Sequence, residues 1–394
     1  MNYAVTFLLS ACLCHAALAA GPRARDLGVP FDGAPGRYNA ITDVSGVEVG
    51  HTTLISGSGT LKVGVGPVRT GVTAVLPRGR ASLDPVFAGW FSLNGNGEMT
   101  GTAWLEDSGI LDGPVMITNT HSVGVVRDAV IDWRLRHAGP DAEGYAWSLP
   151  VVAETADMSL NDMNGFHVKP EHVFHALDSA HGGPVDEGSV GGGTGMICNE
   201  FKGGIGTASR VLPAKQGGYT VGVLVQCNYG WRSQLRIAGV PVGREIPEHS
   251  IRDDDVGSII VVVATDAPLL PMQLRRLARR VTLGLGRLGS YSGDGSGDLF
   301  IAFSTANAGA AGVGESATAA PGAGAVAGAP RPLAMLPNDA LNPIFLATVQ
   351  ATEEAVVNAM VAARTMKGIN DFEVIGLPHE RLREVLRKYH RLVE

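Results

Sequence analysis

The sequence predicts an α/β fold in which sheets pack on one another and helices cover them outside. Two stretches carry this prediction: residues 258–265 (SIIVVVAT) and 298–304 (DLFIAFS) are apolar at nearly every position, as strands buried on both faces are. Between them Leu270, Leu274, Leu277, Val281 and Leu285 recur at helical spacing, with Arg275, Arg276, Arg279 and Arg280 largely on the opposite side. Strand, helix, strand is the resulting order, and the arginines read as a solvated helix face.

Upstream, residues 207–212 are strand-like, PAKQGG at 213–218 is turn-like, and residues 221–228 (VGVLVQCN) form a second apolar run, which together predict a hairpin. If strands 258–265 and 298–304 join one sheet in parallel, the crossover puts their starts at one edge. Ser258 and the Ser296-Gly297-Asp298 turn then become neighbours. A hairpin strand running antiparallel to them brings its end, Asn228, to the same edge. Toward the C-terminus Asn342 and Pro343 supply an N-cap and an N1 proline, and Gly368 a C′ residue, for a helix through Met366.

A chain of 394 residues is well above the ~150 at which most apolar surface can be buried. Hydrophobic residues make up 45% and charged residues 18%, which excludes a disordered chain. The 53 glycines follow no collagen period. A net charge of −7 without a basic tract gives nucleic acid no electrostatic footprint. Of four cysteines, Cys12 and Cys14 lie near the N-terminus, leaving Cys198 and Cys227 in the body. These two can form one bridge, but their apolar and glycine-rich surroundings favour buried free thiols.

Residues 4–19 form a short apolar run ending in Ala17-Leu18-Ala19, a small-x-small pattern that suits signal peptidase. Residues 1–19 therefore read as a cleaved secretory leader and residues 20–394 as one exported domain, in the periplasm or secreted. A lipoprotein cut before Cys12 is the lesser reading, because the hydrophobic stretch ahead of it is short. No later window holds the ~18 uninterrupted apolar residues of a membrane span. Residues 306–330, almost wholly Ala, Gly and Pro, read as a flexible surface loop.

No G-x-S-x-G elbow, H-E-x-x-H or phosphate-loop motif occurs. The glycines at 191–195 and 203–206 lack the dinucleotide spacing. His167, His172, His175 and His181 make a histidine-rich patch, but no cysteine partner stands near it, so a short helix surface after Pro170 is preferred to zinc. The informative junction is Gly257-Ser258, where a polar stretch (EHSIRDDDVG) runs straight into a buried strand that begins with a hydroxyl. On pattern alone a strand-initiating serine accounts for it.

From Asp43 to about Gly368 the chain resembles the DmpA-type aminopeptidases, the self-cleaving L-aminopeptidase/D-amidase/esterases and β-peptidyl aminopeptidases. The segments that carry the resemblance are DVSGVEVGHTTL from Asp43, VVAET from Val151, LND at 160–162 and NGFHVKPEHV from Asn164. They continue with GGGTGMICNEFKGGIGTASRV from Gly191, GSIIVVVATDAPLLP from Gly257 and EEAVVNAM from Glu353. The resemblance implies a four-layer αββα sandwich of the N-terminal-nucleophile-like kind. It also implies cleavage between Gly257 and Ser258 into an α chain 20–257 and a β chain 258–394. Small peptide, amide or ester substrates, no metal or organic cofactor, and a homo-oligomer of processed αβ pairs follow from it as well.

Each implied role fits what its residue can do. Ser258 Oγ would attack the Gly257 carbonyl, and glycine there lets the backbone bend toward the hydroxyl. The freed α-amine, with an ordinary pKa of about 7.7 to 8.0, would help activate that hydroxyl. Ser296 and Asp298 match the family's relay of a serine and a carboxylate; the family carboxylate is a glutamate, one methylene longer, so the reach of Asp298 is at issue. Asn228 matches the oxyanion-hole asparagine, a donor whose loss typically costs about 10²- to 10³-fold in rate. Glu154 matches the anchor for the substrate's free amine. Ala156 stands where several relatives have tyrosine, and Met158 lies near it. Both departures, Asp298 and Ala156, keep open an uncleaved, inactive periplasmic binding protein as the alternative.

Overall fold

β-Branched and aromatic residues supply most of the inner strands, which suits a pleated surface buried on both faces. The computed structural model describes residues 21–138, 147–309 and 330–394. The expected leader with Cys12 and Cys14, and most of the alanine- and glycine-rich stretch 306–330, lie outside the described residues. In chain order the strands are β1 (Glu48–Ser56), β2 (Val68–Leu76), β3 (Val86–Gly95), β4 (Ile110–Leu111), β5 (Val115–Thr118), β6 (Val151–Glu154) and β7 (Ile197–Cys198). They continue as β8 (Phe201–Lys202), β9 (Gly204–Val211), β10 (Thr220–Asn228), β11 (Gly257–Thr265), β12 (Ser296–Ser304), β13 (Met366–Lys367) and β14 (Glu373–Val374). The α-helices are α1 (Thr102–Ser108), α2 (Val123–Ala138), α3 (Pro170–Asp178), α4 (Val242–Glu245), α5 (Pro271–Ala278), α6 (Val281–Arg287), α7 (Asn342–Ala362) and α8 (His379–Lys388).

Two large sheets result, one ordered β1-β2-β5-β6 and one ordered β4-β3-β12-β11-β10-β9, beside the two-stranded pairs β7-β8 and β13-β14. Val49, Val75, Val115 and Ile117 of the first meet Leu224, Ile260, Val262 and Phe303 of the second in a core between the sheets. Val72 and Met116 on the outer face of the first sheet pack on Val126 and Val130 of α2 and on Val173 and Leu177 of α3. On the far side Val223, Ile259, Val261 and Phe300 pack on Leu274 of α5, Leu285 of α6 and Val356 of α7. The order helix, sheet, sheet, helix is the expected αββα sandwich.

The edge that matters for function forms as the topology requires. β11 and β12 pair in parallel with Ser258 opposite Gly297, and β10 pairs antiparallel with β11, Asn228 opposite Ser258. The hairpin of β9 and β10 sits beside them.

Three expectations are corrected. The single leucine-patterned helix is two, because after Ala278 the chain tightens: the Arg280 and Leu283 amides donate to carbonyls three residues back, Leu277 and Arg280. This turn lets α6 lean on α7 at Gly284, where a β-carbon would lie 2.7 Å from Thr352 Cβ. The last long helix begins at Asn342 with Leu341 as its cap and ends at Ala362, not Met366. Ala363 is extended, and Met366 and Lys367 pair with Glu373 and Val374 instead. That helix is long and apolar enough to cross a membrane, yet it is buried against β9, β10 and α6. Finally, Cys198 and Cys227 are joined in a disulfide rather than free. Their Cα atoms are 5.4 Å apart, inside the bridging range, because the Ile197 amide bonds the Asn228 side chain and brings β7 onto the end of β10.

Candidate active site

Ser258 is the second residue of β11 and is 7% exposed. Strand alternation turns it to the same side as Ile260 and Val262, toward the space between the sheets. Its Oγ accepts the Gly297 N–H at 3.1 Å. Gly257 before it has φ +105°, and a β-carbon there would lie 2.0 Å from the Asn228 carbonyl oxygen. Only glycine fits. The residue ahead of the hydroxyl is therefore bent and pressed against the end of β10.

Asn228 is fixed from both ends of its amide. Oδ1 accepts the Ile197 N–H at 2.8 Å and Nδ2 donates to the Ala156 carbonyl at 2.9 Å. One N–H of that amide is left for a ligand, and the side chain lines the same cleft as Ser258.

Ser296 Oγ donates to Asp298 Oδ1 at 2.5 Å. The shorter carboxylate reaches its serine directly. Burial pushes the Asp298 carboxyl above its ordinary pKa; the hydrogen bond from Ser296 opposes this, and the neighbouring Asp255 charge adds to it. By alternation Ser296 and Asp298 share the face of Phe300, on the helix side of the sheet, whereas Ser258 faces the other side. Among the described residues no hydrogen bond joins Ser258 Oγ to Ser296. The ladder partner of Ser296 is Gly257, so the pair stands at the Gly257–Ser258 peptide and not on the hydroxyl.

Glu154 ends β6 in the opposite sheet and is 4% exposed. Its Oε1 accepts the Glu98 N–H at 2.9 Å and its Oε2 accepts the Thr120 hydroxyl. Burial raises its pKa, partly offset by those two bonds. The carboxylate comes close to the start of β12, the strand beside that of Ser258, because a β-carbon on Gly97 would lie 3.2 Å from both Glu154 Oε1 and Gly297 Cα. A cleft of about 350 Å³ joins Glu154, Asn228 and Ser258, with Ala156 in its wall and Met158, 61% exposed, at its mouth. Thr120, Glu98 and Arg252 also belong to this site and were missed in the sequence. They sit outside the periodic elements, and no spacing rule links them to Glu154.

The histidines lie elsewhere. His172 and His175 are on α3 as expected, His175 Nδ1 is 3.1 Å from Thr52 Oγ1, and His167 pairs with Asp162 at 2.9 Å.

A serine at the head of a doubly buried strand, with a bent glycine before it and a free amide donor across the ladder, defines a hydrolase of the N-terminal-nucleophile fold. Residues 39–374 match peptidase family S58, and the chain belongs to that family. It is a serine aminopeptidase. It is 56% identical to the β-peptidyl aminopeptidase BapA of Sphingosinicella microcystinivorans, over 96% of each chain. The β-peptidyl aminopeptidase BapA of Sphingosinicella xenopeptidilytica is 48% identical over 97% of this chain and 95% of its own. Among solved structures, the L-aminopeptidase D-Ala-esterase/amidase of Ochrobactrum anthropi superposes with a TM-score of 0.85 at 48% identity, covering 94% of this chain and all of the other. A β-aminopeptidase of Burkholderia sp. gives 0.83 at 49% identity, over 93% of this chain and 99% of the other.

Proposed function

We propose that the protein is an exported aminopeptidase that cuts itself between Gly257 and Ser258 and then uses Ser258 as an N-terminal nucleophile. The observation that carries this is the junction itself: a glycine held at φ +105° directly before a serine whose hydroxyl an amide orients. In the uncut chain Ser258 Oγ adds to the Gly257 carbonyl, the C–N bond breaks, and the proton of Oγ passes to the departing nitrogen. Water then hydrolyses the ester, leaving a Gly257 carboxylate and the Ser258 amine and hydroxyl. In this reading Ser296 holds that nitrogen, supported by its hydrogen bond to Asp298 and its ladder pairing with Gly257. The expected result of an intact-mass measurement is two chains, the smaller beginning at Ser258; one uncut mass overturns the reading.

In the processed enzyme the Ser258 amine, neutral in appreciable fraction near its ordinary pKa of about 7.7 to 8.0, is the base for the hydroxyl. Asn228 Nδ2 donates to the oxyanion, and Glu154 takes the substrate's ammonium group at the other end of the cleft. That last role fixes a pH dependence. The anchor works only as a carboxylate, and burial raises its pKa, so acid removes it at a higher pH than an ordinary carboxylate. The acid limb of kcat/KM, which reports the free enzyme, should therefore have two breaks: protonation of the Ser258 amine below its ordinary pKa of about 7.7 to 8.0, and at lower pH, yet above the ordinary glutamate pKa of about 4.3, protonation of Glu154. With Glu154→Gln that second break should vanish, leaving the amine's, while KM rises at neutral pH. An unchanged limb assigns the titration to another group.

Short peptides, amides and esters are the substrate class, and β-aminoacyl groups are the preferred acyl part. The two BapA relatives support that preference, and Ala156 leaves room beside the cleft. A one-methylene difference is worth about 10- to 200-fold in such a pocket. β-Alanyl p-nitroanilide should exceed α-alanyl p-nitroanilide in kcat/KM by about tenfold or more; the reverse order assigns an α-aminopeptidase. The Cys198–Cys227 disulfide supports export to the periplasm, where such bonds persist. An oligomer of processed αβ pairs completes the proposal.

A further inference from the structure

The segment ahead of the scissile bond is held by a glutamate outside the proposed catalytic set. Asn199 and Glu200 form the two-residue turn between β7 and β8, both with positive φ, 47° and 61°. Asparagine tolerates such a position; at the second one glycine is the ordinary choice and glutamate is strained. What holds Glu200 there is its carboxylate. Oε1 accepts the Arg232 N–H at 2.7 Å. Oε2 accepts the Ser250 hydroxyl at 2.7 Å, the Ile251 N–H at 2.6 Å and the Arg252 N–H at 3.1 Å. Burial alone would push the Glu200 pKa up, but these four donors outweigh it and hold it below the ordinary range.

The fully buried Arg232 completes the clasp. Its guanidinium donates to the carbonyls of Asn199, Glu200, Ile246 and Glu248 and lies over the Phe201 ring. The turn is in turn tied to β10 through the Cys198–Cys227 disulfide, one residue from Asn228. A second hold follows nearer the cut: Asp255 accepts the Ser290 hydroxyl at 3.1 Å and the Tyr291 N–H at 3.2 Å, and Asp254 accepts the Tyr291 hydroxyl at 2.6 Å. Residues 250–255 are thus fixed at two points just before Gly257 must present its carbonyl to Ser258.

We propose that Glu200 is a positioning residue for self-cleavage, holding residues 250–252 so that the Gly257 carbonyl stays in reach of Ser258 Oγ. This rests on the self-processing reading. Glu200 does not line the cleft and touches no reacting atom; its one link to the cleft wall is the Arg252 backbone N–H, so its main effect belongs to maturation and not to turnover. Misplacing a reacting group by about 1 Å costs on the order of 10²-fold in rate.

The test uses the full chain, following self-cleavage over time by intact mass and measuring turnover per processed chain. Glu200→Gly suits the positive φ of the turn and removes the side chain with its carboxylate, so it should fold, keep the disulfide and cleave about 10- to 100-fold more slowly. Its kcat and KM per processed chain should match wild type. Ser250→Ala, which removes one donor from an exposed residue, should slow cleavage by a smaller factor in the same direction. Cleavage of Glu200→Gly at the wild-type rate overturns the inference and leaves self-processing standing. A proportional loss in cleavage and in kcat per processed chain also overturns it, because that is the mark of a merely structural role. A wild-type chain that never cuts overturns both.

Discussion

Ser258→Ala is expected to give a single uncut chain on a denaturing gel and to lose turnover by roughly 10⁵- to 10⁶-fold, the size of effect seen when a hydrolase loses its nucleophile. Both losses have one cause, since the same oxygen opens its own backbone and later the substrate's. The fold should survive. The Ser258 hydroxyl accepts one hydrogen bond, from the Gly297 N–H, and its removal is worth about 1 kcal/mol. Strand β11 keeps its ladder on both sides, so the protein should elute and melt close to wild type. Cleavage persisting in the alanine variant would falsify the assignment of the scissile bond. Turnover persisting without cleavage would separate the nucleophile from the maturation step and leave the α-amine without a role.

The strands that build this site were legible because burial on both faces leaves a plain mark. SIIVVVAT and DLFIAFS have no polar face, and with helical leucines between them a parallel pairing in one sheet puts Ser258 and Ser296 at one edge. Asn228 followed once the hairpin strand was set antiparallel to them. The side on which each group works was less legible: Ser296 shares that edge, yet the ladder pairs it with Gly257 and points it to the helix layer. Roles came from the family resemblance, since pattern alone left Ser258 as a strand opener. The disulfide was missed because Cys198 sits in a two-residue strand that owes its place to the Asn228 side chain, a contact with no periodic trace. The same holds for Thr120 on Glu154 and for Glu200 on residues 250–252. Such contacts join loops far apart in the chain, and loops carry their information in tertiary placement. The helix broken at Arg279 was misread for a different reason: leucine spacing records which face is buried and does not register a one-turn change of axis.

Gly257→Ala is the second large expected effect, and it separates presentation of the scissile carbonyl from catalysis. At φ +105° an alanine is strained by about 1 to 2 kcal/mol before any contact is counted. The added methyl would also meet the Asn228 carbonyl oxygen at 2.0 Å and the Tyr229 Cα at 3.2 Å. Both neighbours are backbone, tied to β11 through the ladder and to β7 through the disulfide, so the neighbours cannot give way cheaply. Residue 257 must move instead, carrying its carbonyl away from Ser258 Oγ. Strain and displacement together should slow self-cleavage by at least about 10²-fold, since each 1.36 kcal/mol is a factor of ten. After the cut the residue is a free chain end and can leave the wall of β10, so the chains that do mature should turn over substrate at close to the wild-type rate. Stopped time courses of intact mass, paired with kcat per processed chain, give both numbers from one preparation. Equal losses in the two would mean that the methyl disturbs Asn228 itself, and the division between presenting the bond and stabilising its oxyanion would then fail.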